Sequence, residues 1–367
     1  MIYILGNSES IFIEDYLRVI GAEKEICLLD TSLNYIPMPH KGRDESNPEY
    51  WWEKARKCTA SPLRKFGWYF SLGMCLTSND TLHIHYLGGA REVIILLGAK
   101  LRRANSIITF WGSDLFVPVN TFRFLMKKIA VFLSSLVSLS TDEMKEFFYK
   151  KYRYKKQVNM ARFALPNIEN IKELCKKHSD DEQEKFRIKV GYNARSQQQH
   201  IPILQELEKI PAEVKSKITV YLPLGYGRSD LDYLGALKAV IASSTIEIKS
   251  NESFLSDIEL AKSTLETDVF INLQETDAQS ASMQEHMFAG SIVITGNWLP
   301  YDKLRKEGCY FHSIDSIGCL SETLSQILGD IEVEKQKASV NTSIIDRISS
   351  WAAVKSQWLD LYNGARR

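Results

Sequence analysis

The chain reads as an α/β protein built from two Rossmann-like domains facing each other across a cleft, and three observations lead there. Short apolar runs that end in glycine or a small polar residue alternate with stretches of helical spacing in both halves. The length of 367 residues exceeds one ordinary hydrophobic core and suits two. A polar, charged stretch, "LPNIENIKELCKKHSDDEQEK", separates the halves. The domains expected are residues 1–165 and 186–342, with 166–185 as linker and 343–367 as a closing C-terminal helix.

In the first half, "MIYIL" (1–5) is a strand that ends in Gly6 and Asn7, and "TLHIHYLGG" (81–89) ends in a glycine pair. "SIITFWGSDLF" (106–116) places Gly112, Ser113 and Asp114 just beyond its apolar run, and "LVSLST" (136–141) leads into the helix "DEMKEFFYKKY". In the second half, "FRIKVGYN" (186–193) breaks at Gly191 and Asn193, after which Ile201, Leu204, Leu207 and Ile210 recur at helical spacing. "KITVYLPLGYG" (217–227) is the next strand, with Ser229 as N-cap of the helix "DLDYLGALKAVIAS". "TIEIKS", the helix "FLSDIELAKST", "DVFINLQ" (268–274), a helix through "SMQEHMFAG" and "SIVIT" (291–295) continue the alternation. Such an order implies parallel sheets covered by helices, which bind ligands at the carboxyl ends of their strands.

The totals exclude several classes. Apolar residues at 44% and charged residues at 25% are those of a soluble globular protein. The six cysteines are scattered without a C-x-x-C pair, so neither a disulfide framework nor a zinc site is indicated. The first apolar run is too short for a signal peptide and no run is long enough to span a bilayer, so a cytoplasmic location is expected. The net charge of +1 is uneven: residues 1–166 carry 23 Lys/Arg against 16 Asp/Glu, and residues 167–367 carry 23 against 29. "KKYRYKK" (150–156), Lys100, Arg102, Arg103, Lys127 and Lys128 supply much of the basic excess, which either a solvated face or an anionic surface explains. No nucleic-acid motif accompanies it, and none is expected as partner. "FRFLMKKIAVFLSSL" (122–136) joins basic residues to an apolar face, which suits a core helix or peripheral contact with the inner face of the cell membrane.

No G-x-G-x-x-G or G-x-x-x-x-G-K-[ST] is present, so neither a dinucleotide cofactor nor a P-loop is indicated. The loop "GYNARSQQQH" (191–200) offers small or polar residues and Arg195 to a phosphate. Asp230 and Asp232 form a nominal D-x-D, which capping of a helix explains without a metal. "LQETDAQSASMQEHMFAGSIVITG" (273–296) sets Asp277 and Glu285 seven residues apart, ahead of a glycine turn and a strand.

That segment is similar to the signature of the two-domain GT-B glycosyltransferases, with Asp277 where many members have Glu. "YLPLGYG", "GYNARSQQQHIPILQEL" and "FWGSDLF" resemble blocks of the lipid-linked fucosaminyltransferases of enterobacterial common antigen and related surface-polysaccharide transferases. The resemblance implies a nucleotide-sugar donor, UDP- or dTDP-linked, no cofactor or metal, and a glycan or polyprenol-linked acceptor. It implies Asp114 as general base and Asp277 beside the donor sugar. Donor contacts would come from Asn193, Arg195, His200, Leu222, Gly225, Tyr226, Gln279, Ser280, Ser282 and Glu285, with Glu285 accepting from the ribose. Acceptor contacts would come from Gly6, Asn7, His85 and Trp111. Asp114 equally suits a capping role, and a nucleotide-sugar epimerase or a non-catalytic nucleotide-binding subunit would share the architecture.

Overall fold

The computed structural model describes residues 1–32, 46–57, 61–176, 184–277 and 280–364. The chain divides into two compact units, Met1–Ala164 with the segment from Trp351, and Leu165–Ser350.

The first unit contains β1 (Ile2–Gly6), β2 (Ile26–Asp30), β3 (Thr81–His85), β4 (Asn105–Thr109), β5 (Leu136–Leu139) and β6 (Asn159–Met160), all parallel, in the spatial order β2-β1-β3-β4-β5-β6. Successive strand residues serve opposite cores: Leu5, Ile84 and Ile108 pack in one, Ile4 and Ile107 in the other. β2 was not foreseen because it is a half-buried edge strand with no glycine after it, and β6 because it is two residues long. The helix Trp351–Gly364 buries Val354, Trp358 and Leu361 in the second of these cores. A chain of polar contacts anchors it: Tyr16 to Tyr362, Tyr362 to His83 Nδ1 at 2.7 Å, His83 Nε2 to Thr109 Oγ1 at 2.7 Å, and Thr109 to Ser138. His83 is thus a core histidine, and burial holds its ring neutral.

The second unit contains β7 (Phe186–Val190), β8 (Ile218–Pro223), β9 (Glu247–Asn251), β10 (Val269–Asn272), β11 (Ile292–Gly296) and β12 (His312–Ile314). All are parallel, in the order β12-β11-β10-β7-β8-β9. Counted from β7, that is the dinucleotide-fold order 3-2-1-4-5-6. Ile188, Val220 and Ile271 face one core, Phe270 and Val293 the other.

The segment expected as a linker instead begins with a helix, Ile168–Cys175, whose Ile168 and Ile171 are buried in the second unit's core; residues 177–183 lie outside the described residues. Ile168 and Ile171, with the half-buried Leu174, dock a helix otherwise written mostly in polar and charged residues. The closing segment is two helices. Val340–Ser349 stays with the second unit through Ile344 and Ile345, Ser350 adopts an extended conformation, and Trp351–Gly364 belongs to the first. Ser229 is not the helix cap: Asp230 is, its carboxylate accepting from Tyr233 N at 3.0 Å. No described helix is long and apolar enough to cross a membrane.

Trp358→Ala should lower the stability of the first unit by about 3–5 kcal/mol, the cost of emptying a fully buried aromatic site. Urea unfolding followed by tryptophan fluorescence measures the loss.

Candidate functional site

In the second unit β7 lies between β8 and β10, so chain connections leave it in opposite directions and open a crevice beyond the carboxyl ends of β7 and β10. The loops 191–199 and 273–280 line that switch point. Gly191 makes the exit from β7 possible: its φ is 64°, and a Cβ there would stand 2.9 Å from Gln198 Oε1.

Three consecutive glutamines then stitch the two loops together. Gln197 Nε2 donates to Thr276 Oγ1 at 2.6 Å, Gln198 Nε2 to Gln274 Oε1 at 3.1 Å, and Gln199 Nε2 to Leu273 O at 2.6 Å. The side-chain amides of this loop are therefore spent on its neighbour. Asn193 is also committed, accepting from Arg195 N at 3.0 Å. Arg195 remains exposed, its guanidinium 5.7 Å from the ring centre of Tyr226, which is itself 58% exposed.

Asp277 is set from below. Its Oδ2 accepts from Gln274 Nε2 at 2.7 Å and from the Tyr301 hydroxyl, while Tyr301 in turn accepts from Asn272 Nδ2 at 2.9 Å. Tyr192 lies within electrostatic reach of both Asp277 and Arg195; burial pushes its hydroxyl up to about 12. Gln274 and Tyr301 were missing from the sequence reading. The available signal was a polar alternation, Asn272 and Gln274, at the end of an otherwise apolar strand.

The helix Ala281–Phe288 starts beside this loop, capped by Ser280 Oγ, which accepts from Met283 N at 3.1 Å. The N–H groups of Ala281 and Ser282 have no intrahelical acceptor, so the helix presents them at the crevice end. Glu285 is only 6% exposed, so it does not sit on a solvated helix face. Burial raises its carboxyl to about 7, against the N–H of Asn167 at 3.3 Å and the charge of Lys189. Gln279 lies outside the described residues.

Three of the expected donor-contact residues also have packing roles of their own. His200 is a fully buried histidine, bonded through Nδ1 to the Tyr233 hydroxyl at 3.0 Å and held down to about 4 by burial. Leu222 is a core side chain of β8. Gly225 is needed for packing, since a Cβ would come within 2.1 Å of Ser253 O.

In the first unit the corresponding switch point lies between β1 and β3. Gly6 ends β1 there, and the exposed Asn7 caps its own loop by accepting from Glu9 N at 3.0 Å. His85, at the end of β3, sits among Tyr16, Trp111, Phe163 and Trp358, and burial holds it neutral, down to about 3. Neither ring nitrogen of His85, nor the indole N–H of Trp111, has a hydrogen-bond partner among the described residues. Tyr86 follows at φ 70°, a conformation costly for a tyrosine.

Asp114 departs from the general-base expectation. It is 1% exposed, Oδ2 accepts from Leu87 N and Oδ1 from Trp111 N, each at 2.8 Å. Lys127 turns inward to donate to Asp114 O at 2.7 Å, so it too leaves the basic surface. The carboxylate holds the loops after β3 and β4 together. Its burial raises it to about 6.

Asp114→Ala should therefore act on stability, at about 2–5 kcal/mol, by stranding two buried N–H groups; urea melts check this. For Glu285 the folded state holds its proton more tightly than the unfolded chain does. Its stability contribution is complete below the ordinary carboxylate range and is lost as pH rises to about 7. Glu285→Gln should flatten that decline, on the order of 3 kcal/mol between pH 4.5 and 7, in denaturant titrations.

No protein-family model matches the chain, and no curated sequence does. Solved structures do match. Anabaena Alr3699/HepE in complex with UDP superposes with a TM-score of 0.69 at 12% identity, covering 99% of each chain. A UDP-forming α,α-trehalose-phosphate synthase from Burkholderia xenovorans gives 0.71 at 9% identity over 100% of this chain and 99% of the other. A glycosyltransferase from Rickettsia africae gives 0.67 at 14% identity, over 99% and 98%. The chain thus has the two-unit α/β fold of the GT-B glycosyltransferases.

Proposed function

We propose that the chain is a glycosyltransferase that takes a sugar from a nucleoside-diphosphate donor, UDP- or dTDP-linked, and passes it to a glycan or lipid-linked acceptor in surface-polysaccharide synthesis. The observation that carries this reading is the switch-point crevice of the second unit, with one carboxylate held in the loop and another on the helix that follows. Structures of the same fold that contain UDP and UDP-glucose support it. In this reading Glu285 accepts from the ribose hydroxyls, Tyr226 stacks on the base, and Asp277 meets the donor sugar. Arg195 and the N–H groups of Ala281 and Ser282 oppose the charge that develops on the departing diphosphate, which makes a metal unnecessary.

On the first unit, His85 and Trp111 offer unspent polar atoms to an acceptor rich in hydroxyls. The same unit exposes Phe122, Leu125 and Phe132 on one helix, with Leu97 and Leu101 on the helix packed against it, and Arg102, Arg103 and Arg123 beside them. Aromatic and aliphatic side chains edged by arginine suit the surface of an anionic bilayer, where a polyprenol-linked acceptor would reside.

Calorimetric titration with UDP, dTDP, GDP and CDP, with EDTA or Mg²⁺, tests the donor site. One diphosphate should bind equally well under both conditions, and its affinity should rise by about tenfold from pH 6 to pH 8 as Glu285 ionises. Glu285→Gln should bind more weakly and lose that rise. No binding of any diphosphate would sink the reading. Release of an altered sugar nucleotide without acceptor would favour an epimerase, and binding without turnover on any acceptor a non-catalytic subunit. Co-sedimentation with vesicles of anionic lipid should be lost in Phe122→Ser/Leu125→Ser if the apolar patch seats on membrane.

A further inference from the structure

A second hollow of the C-terminal unit is bordered by β7, β8, β9 and the helix Asp257–Leu265. Its volume is about 390 Å³, and it is lined by Lys189, Tyr221, Lys249, Ser250, Lys262 and Ser263 among others. The strand register explains the row: Lys189 of β7 pairs with Tyr221 of β8, which pairs with Lys249 of β9, so all three stand on one face of the sheet.

The charges there do not balance. Lys249 pairs with Glu247 at 3.1 Å, and Lys262 with Glu266 at 3.9 Å. Glu266 is shared with Arg187, and Glu259 is taken up by the Ser256 cap, at 2.8 Å from its N–H and 2.7 Å from its Oγ. Lys189 is different. It is 2% exposed, its one hydrogen bond is to Ser263 Oγ at 3.3 Å, and it has no ion pair among the described residues. Burying an ammonium on one long hydrogen bond is unfavourable unless an anion shares the space. Glu285 acts on it only through the field, which opposes the lowering of its amine to about 8 by burial. Two N–H donors of Lys189 remain for a ligand.

We propose that this hollow is a binding site for a small phosphate-bearing molecule, whose phosphate sits between Lys189 and Lys249 and whose neutral part reaches the hydroxyls of Ser250 and Ser263. A phosphate supplies the several acceptor oxygens that the lysines lack and matches ammonium point charges without needing the planar fork of an arginine. The site does not depend on the proposed transferase reaction.

The probe is inorganic phosphate, titrated at constant ionic strength against chloride, with thermal unfolding and calorimetry as readouts. Wild type should show saturable stabilisation that persists with excess UDP present. Affinity should fall by about tenfold or more in Lys189→Met and in Lys249→Ala. Lys249 is exposed, so its variant decides the matter if Lys189→Met fails to fold. Wild-type phosphate affinity in either folded variant, a non-saturating response, or loss of the effect in UDP would each overturn the proposal. The last result would mean that phosphate enters the crevice instead.

Discussion

The floor of the crevice is organised around one buried amide. Gln274 is 2% exposed, and its side chain accepts from Gln198 and Tyr192 while donating to Asp277 and Asn272. A group so far from water must find each partner in the protein, because an unmet donor or acceptor there costs about 1–3 kcal/mol. That requirement fixes the 191–199 loop against the 273–277 loop and gives Asp277 a single orientation. The turn after β11 contributes as well, since Trp298 Nε1 donates to Gln274 O at 2.8 Å. A carboxylate on a loop is ordinarily free to turn. Here the floor beneath it decides where it points.

The sequence made the architecture legible where local pattern and tertiary role agree. Apolar runs ending in Gly191, Gly6 or Gly112 marked strands whose loops turn sharply, and the spacing of Asp277 and Glu285 marked a loop acid and a helix acid. It failed where the deciding partner is distant in sequence. Asp114 looks like a poised base until Leu87 and Trp111 are seen to occupy both oxygens. Lys127 reads as surface charge beside Lys128, yet a carbonyl thirteen positions earlier draws it inside. "QQQ" (197–199) reads as a polar loop; only the pairing of β7 with β10 brings the acceptors for its three amides within reach. The helix Ile168–Cys175 was lost among its charges for a similar reason, because Ile168, Ile171 and Leu174 acquire meaning only from the core they enter.

The two units solve the burial of polar groups differently. In the first, His83 is satisfied from both sides by Tyr362 and Thr109, and the C-terminal helix is held by that satisfaction. Two residues along the same strand, His85 faces the same aromatic cluster with neither nitrogen engaged. Identical side chains on one strand face thus divide into a structural histidine and one with unspent capacity at the carboxyl end of the sheet. Position along the strand separates them, since only the last residue of β3 borders the switch point.

Glu285 and Lys189 show why a buried charge need not be neutralised outright. A carboxyl buried this deeply and left alone would hold its proton far above physiological pH, and could then donate but not accept in full. The Asn167 N–H and the field of Lys189 pull it back to about 7, so the ionised form remains within reach. Lys189 gains in return, because the same field opposes the loss of its own proton. Neither group forms a close ion pair with the other, which would have favoured the charged form of both more strongly. Separation by more than a contact distance therefore leaves both groups titratable, and it ties the protonation of Glu285 to the charge state of Lys189.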